Sequence, residues 1–194
     1  VYALTQSNED ELDHTLTALR LSKKANAVSE LHQKTLCEMW SNKHGVCNII
    51  AITNAQNYSY WHDDNLYQAL NKNDDEGLYK RKLKRKKFLF ETVADQNGEI
   101  YDEKICTLVF AKRFAGYKRP DLFFQDMERF NHLVTNKERP VQIIWAGKPY
   151  PMDYTAIGVF DKIVDVCKTY SNCSILVGYE LKLSRLLKQG ADVW

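Results

Sequence analysis

An α/β fold built on a parallel sheet is the class this sequence predicts, and three observations predict it. From Ile105 onward, short apolar runs alternate with longer segments of helical periodicity. The runs "ICTLVFA", "VQIIWAG" and "CSILVGY" are continuously apolar, as strands covered on both faces are. The 194 residues are 44% hydrophobic with a formal net charge of +2, which suits an ordinary globular domain and not a strongly basic nucleic-acid binder. No apolar run approaches the roughly 20 residues of a membrane span.

The elements follow in chain order. Residues 11–24, "ELDHTLTALRLSKK", carry Leu12, Leu16 and Leu19 at helical spacing. "VSELHQKTLCEMW" predicts a second helix with Val28, Leu31, Thr35 and Met39 on one face and Ser29 as its cap. "VCNIIAIT" (46–53) reads as a short buried strand. Residues 63–95 read as two helices broken at "NKNDDEG". The second contains "KRKLKRKK" (80–87), cationic everywhere except Leu83. Leu78, Phe88, Leu89 and Phe90 bracket the run, so it is expected to be the solvated face of a long amphipathic helix. After the strand at 105–111, "YKRPDLFFQDMERFNHLVTN", "TAIGVFDKIVDVCKTY" and "ELKLSRLLKQG" read as helices, and "ADVW" as the start of another strand.

The N-terminus has neither the basic nor the apolar segment of a signal peptide. It also lacks Met, and Trp194 falls inside an apolar run, so the sequence is expected to be an internal piece of a longer chain. Five cysteines without C-x-x-C spacing predict free thiols in a reducing, cytoplasmic compartment, with Cys47, Cys106 and Cys173 buried. The histidines make no metal-binding pattern.

The chemistry concentrates in "AKRFAGYKRPDLFF" (111–124). Lys112, Arg113, Lys118 and Arg119 occupy the turn after a strand, where a helix N-terminus is expected and where cations oppose the helix dipole. A bound phosphate would resolve that conflict, with Gly116 letting backbone approach it. A plain surface turn would be equally consistent with composition. "AGKPYPMD" (146–153) offers Gly147 and Lys148 at the next strand end, so two consecutive turns are cationic.

Taken in order, "ANAVSELHQKTLCEMW", "AITNAQNYSYW", "AKRFAGYKRPDLFF", "VQIIWAGKPYP" and "VGYELKLSRLLKQGADVW" resemble the α-glucan phosphorylases, in particular the shorter bacterial and archaeal branch of the glycogen and maltodextrin enzymes. The resemblance implies a Rossmann-like sheet within a two-domain GT-B glycosyltransferase, with residues 1–54 ending its N-terminal domain and 55–194 opening its C-terminal domain. It implies transfer of a glucosyl unit from an α-1,4-glucan to inorganic phosphate, giving glucose 1-phosphate, with pyridoxal 5′-phosphate as cofactor. Carried over by position, Arg113 and Lys118 hold the substrate phosphate and Lys112 meets the cofactor phosphate. Asn54 binds the glucosyl unit, and Trp61 and Tyr179 pack beside the cofactor. The lysine that forms the Schiff base follows the D-V-W stretch in that family and is not in this sequence, so the 194 residues alone are expected to be inactive. Three positions depart from the pattern: Ala27 and Ala55 stand where the family has Gly, and Asn57 where it has His. A sugar-nucleotide-dependent GT-B enzyme resembling glycogen synthase, or a non-catalytic binding module, are the alternatives. An exposed sheet edge would favour self-association.

Overall fold

The computed structural model describes residues 12–194, and the chain divides into two compact units, one ending at Tyr60 and the other running Trp61–Trp194. Both are mixed α/β with parallel strands.

The first unit is built on a strand–helix–strand crossover. Helix α1 (His14–Leu21) starts where the Asp13 carboxylate accepts the Leu16 amide at 2.9 Å. Strand β1 (Lys24–Ala27), helix α2 (Glu30–Met39) and strand β2 (Asn48–Ala51) follow, with β1 and β2 paired in parallel from Lys24 opposite Asn48 to Ala27 opposite Ala51. Ser29 caps α2 as expected, its hydroxyl accepting the His32 amide at 3.1 Å, while the His32 ring accepts the Val28 amide at 3.2 Å. Strand β1 is not among the predicted strands. "KANA" carries little β propensity, and pairing with β2 is what makes it a strand. The expected apolar face of α2 is not covered: Leu31 and Met39 are 74% and 62% exposed.

A single helical turn, α3 (Tyr58–Trp61), leads into the second unit. Helices α4 (Asp64–Asn71) and α5 (Asp75–Asn97) are separated by a break at 72–74, where Asp74 caps α5 and Asn73 takes a positive φ of 53°. Strands β3 (Cys106–Ala111), β4 (Val141–Ala146) and β5 (Cys173–Leu176) form a parallel sheet in that order. Leu89, Phe90 and Val93 of α5 and Leu183 and Leu187 of α8 (Leu181–Gly190) cover one face of the sheet. Phe114, Phe124, the Phe130 and Val134 of α6 (Met127–Val134) and the Ile163 of α7 (Tyr154–Thr169) cover the other. Ile143 and Trp145 point to the second face, Ile144 and Ala146 to the first, and all four are fully buried. This two-sided burial is why the strands read as continuous apolar runs.

The helix expected from Tyr117 begins instead at Met127, capped by Asp126, whose carboxylate accepts the Arg129 amide at 2.9 Å. Two 3₁₀ turns, Gly116–Lys118 and Leu122–Gln125, fill the interval. Pro120 is the cause: it disfavours right-handed helical angles at the preceding residue, and Arg119 takes φ 50°. The four cations therefore do not sit on a helix N-terminus, and the dipole conflict read from the sequence does not exist.

The polycationic run is also not simply a wet face. Arg81 and Arg85 turn inward to the buried Asp63, with Arg81 donating to both carboxylate oxygens at 2.9 Å. Lys86, 2% exposed, donates to the Ile105 carbonyl and to Asp192, each at 2.5 Å. Lys82 donates to the Gln189 and Ala191 carbonyls at the C-terminal end of α8, the end that favours a cation. Lys84 and Lys87 stay exposed, and Lys80 pairs at the surface with Glu76. All five thiols are free; Cys173 is buried as expected, but Cys106 is exposed and Cys47 half-buried.

Candidate functional site

Sheet topology places the site. On the side of β3 away from β4, Val193 bridges in parallel to Leu108, with the Val109 amide donating to the Val193 carbonyl at 2.9 Å. The sheet thus grows from β3 in both directions, and the carboxyl end of β3 is a topological switch point, where open α/β sheets bind their ligands. Asp192 fixes this edge. Its carboxylate accepts the Thr107 amide at 2.8 Å as well as Lys86.

Three loops meet at the carboxyl edge. The basic turn after β3 continues the ladder toward the loop after β4: the Lys112 amide donates to the Ala146 carbonyl at 3.1 Å and the Phe114 amide to the Lys148 carbonyl at 3.2 Å. Gly147 has φ 144°, and a Cβ there would fall far inside contact distance of the Lys112 carbonyl oxygen. Only glycine lets the two turns approach this closely. Phe114, fully buried against Phe160 with ring centroids 5.3 Å apart, nails the centre of the basic turn into the core. The Trp145 indole holds its far end by donating to the Pro120 carbonyl at 3.0 Å.

What this anchoring displays is positive charge. Lys112, Arg113, Arg119 and Lys148 are exposed and Lys118 is half-buried. Among the described residues no carboxylate pairs with any of them. Lys118 lies over the Tyr117 ring at 4.8 Å and Lys112 near the Phe110 ring at 5.8 Å. Several unneutralised cations on an anchored turn at a switch point are an arrangement chemically suited to an anion with several oxygens.

The third loop brings Tyr179. Its hydroxyl donates to the Ala111 carbonyl, the last residue of β3, at 3.2 Å and lies 3.1 Å from the Ser184 hydroxyl. Ser184 in turn accepts from Lys188 at 2.9 Å. The Lys188 ammonium stands 3.9 Å from the Trp61 ring centre and 5.1 Å from that of Trp194. Trp61 and Tyr179 are therefore joined through Lys188 and Ser184 to the start of the basic turn. Asn54 belongs to the first unit, at the carboxyl end of its two strands, where its amide donates to the Val28 carbonyl at 3.1 Å.

No profile of a known protein family matches the chain. Individual relatives do. Over 94% of its length the chain is 45% identical to an uncharacterized protein of Methanocaldococcus jannaschii. It is 30% identical over 93% of its length to the glycogen phosphorylase of Aquifex aeolicus, and 29% identical over 95% to the maltodextrin phosphorylase of Thermococcus litoralis. The chain belongs to the α-glucan phosphorylase family. It spans about a third of the length of these relatives: 35%, 32% and 27% in the same order.

Within this phosphorylase-family chain, Ala27 and Ala55 at the family's glycine positions carry no backbone strain. Neither has a positive φ, and Ala27 is fully buried inside β1. The residues that sequence reasoning missed are Lys188 and Ser184 beside Tyr179, Asp192 beneath β3, and Asp63 with its two arginines. Spacing offered a signal for one of them only. Lys188 stands four residues after Ser184 on α8, the separation that puts two side chains on one helix face. The contacts of Asp63 with its two arginines and of Asp192 with Thr107 and Lys86 span 18 to 106 residues and have no local signature. Among the described residues there is no group of His, Cys, Asp and Glu that could hold a metal ion, and no helix is long and apolar enough to cross a membrane.

Proposed function

We propose that this chain is the phosphate-facing part of an α-glucan phosphorylase, which transfers a glucosyl unit from an α-1,4-glucan to inorganic phosphate and releases glucose 1-phosphate. In this reading residues 1–54 close the N-terminal domain of a GT-B enzyme and 55–194 open its C-terminal domain, in a cytoplasmic protein. One observation carries it. Lys112, Arg113 and Lys118 stand unneutralised on a turn that is anchored at both ends and lies at the switch point of a parallel sheet.

Arg113 and Lys118 are the groups that bind and orient the substrate phosphate. A guanidinium chelates two oxygens and an ammonium supplies a compact charge, so together they favour the dianion and stabilise charge gathering on it as the glycosidic bond opens. Lys112 would hold a second phosphate, that of pyridoxal 5′-phosphate. The cations fit such a group: three of them without acidic partners would hold its phosphate, while Trp61 and Tyr179, already engaged by Lys188, Ala111 and Ser184, would pack beside it without offering it a free donor. The chemistry such a cofactor supplies when bound is proton exchange through its phosphate. Asn54 hydrogen-bonds the glucosyl unit.

Two experiments test the reading. Isothermal titration of inorganic phosphate into this chain should give saturable binding that Arg113→Ala with Lys118→Ala abolishes. The longer protein that carries this chain should release glucose 1-phosphate from maltodextrin and phosphate, and lose that activity with the same substitutions. Tight phosphate binding that ignores both substitutions would refute the assignment of the basic turn.

A further inference from the structure

The polar chain running from α8 to β3 has a direction. The Tyr179 hydroxyl donates to the Ala111 carbonyl, which leaves its oxygen to accept from Ser184; the Ser184 oxygen accepts from the Lys188 ammonium, which has no oxygen or lone pair to offer in return. Both hydroxyl donors are thereby committed, and the chain ends on the carbonyl immediately before Lys112. Ser184 is buried and Tyr179 and Lys188 are half-buried, so solvent does not readily replace these bonds. At its other end the Lys188 ammonium rests against the faces of Trp61 and Trp194, one from the residue that opens this unit and one from the edge beside β3. Partial burial lowers the Lys188 pKa from its ordinary value. No carboxylate pairs with Lys188 among the described residues, so its hydrogen bond to Ser184 and the two indole faces are what hold it.

The geometry points to Lys188 as the positioning residue of the basic turn: through Ser184 and Tyr179 it fixes the carbonyl from which Lys112 and Arg113 spring, and through Trp61 and Trp194 it ties that turn to both neighbouring segments. The inference rests on the phosphate reading for its functional consequence, but the positioning itself does not. Lys188 touches no substrate here and acts through its neighbours.

Backbone amide exchange separates the two. In Lys188→Met, which keeps the side-chain length without charge or donor, the amides of Lys112 and Phe114 should exchange about fivefold faster, the effect expected for one net hydrogen bond. The Phe130 amide of α6, bonded to the Asp126 carbonyl, should be unchanged. Ser184→Ala should give the same acceleration. The double variant should add nothing to it, since both break one chain. Lys188→Arg, which keeps a cation over the indoles and a donor toward Ser184, should restore wild-type exchange to within about twofold. Phosphate affinity should weaken in Lys188→Met by a similar factor and recover in Lys188→Arg. Unchanged exchange at Lys112 and Phe114 in Lys188→Met, or effects of Lys188→Met and Ser184→Ala that simply add, would overturn the inference. If the wild-type chain binds no phosphate, the proposed function fails while the exchange comparison still decides the role of Lys188.

Discussion

Asp63 is the residue whose removal should cost this chain most. Its side chain is 2% exposed, and its carboxylate accepts the Leu66 amide at the start of α4 and both guanidinium groups that α5 turns inward. Burial alone would raise its pKa. The hydrogen bonds from Arg81 and Arg85 outweigh that penalty and hold it well below the usual carboxylate range. Replacing Asp63 by Ala leaves two arginines facing each other without an anion and strips a helix cap. Breaking one side of a buried ion pair costs about 3–5 kcal/mol. The arginine side chains keep 19% and 17% exposure, which places this case near the lower end. Loss of the cap adds about 1 kcal/mol. A total of about 4 kcal/mol is a large share of the roughly 5–15 kcal/mol that holds a domain together. Asp63→Asn, which keeps the cap and removes the charge, should cost about 3 kcal/mol. Urea unfolding at pH 7 measures both. The sign with pH is fixed because the folded pKa is depressed. The contribution of Asp63 is fully present above its unfolded pKa of about 4 and disappears as pH falls through the lower folded value. The gap between wild type and Asp63→Asn should therefore be constant from pH 7 to 5 and close only below about pH 4. A loss under 1 kcal/mol at pH 7, or a gap already shrinking between pH 7 and 5, would refute this reasoning.

Other outcomes follow from the same contacts. Gly147→Ala should destabilise by at least about 2 kcal/mol in urea unfolding, because it combines a left-handed φ with a collision at the Lys112 carbonyl, and it should weaken phosphate binding in titration. Trp145→Phe keeps most of the buried ring but orphans the Pro120 carbonyl; about 1–3 kcal/mol should be lost, with faster proteolysis between 115 and 126 as the visible sign. Lys86→Met should cost about 2–3 kcal/mol and expose the Thr107 region to amide exchange, since Asp192 loses the cation that holds it under β3. Burial pushes the Cys167 and Cys173 thiols up to about 12, so both should resist alkylation at pH 8 while the exposed Cys37 and Cys106 react, as mass spectrometry of the labelled peptides would record.

The sheet was legible because its chemistry is local. Strands buried on both faces need continuous apolar runs, and β3, β4 and β5 fall inside the three runs read from the sequence. Helix starts at Ser29 and the break before Asp75 were legible for a similar reason, since caps and turns are written within four residues. Strand β1 was not, because "KANA" becomes a strand only by meeting β2. The helix misplaced at Tyr117 is a case where a local signal existed and was overridden: Pro120 was in view, but the apolar spacing that follows it reads as continuous with α6. The inward turn of Arg81, Lys82, Arg85 and Lys86 had no local signal at all. Their partners are Asp63, the end of α8 and Asp192, and a run of cations looks the same whether its carboxylates are solvent-distant or absent. The basic turn itself was visible as charge. Its anchoring by Phe114, Gly147 and Trp145 was visible only in three dimensions.

The assignment of phosphate to the basic turn is tested most directly by titrating inorganic phosphate into the isotopically labelled chain and following its amide and side-chain NMR signals. The expected result is saturable shifts confined to residues 112–119 and 147–148, including the Arg113 guanidinium, that vanish in Arg113→Ala with Lys118→Ala. Shifts that gather instead on the exposed lysines of α5, or that spread over the surface without saturating, would contradict it.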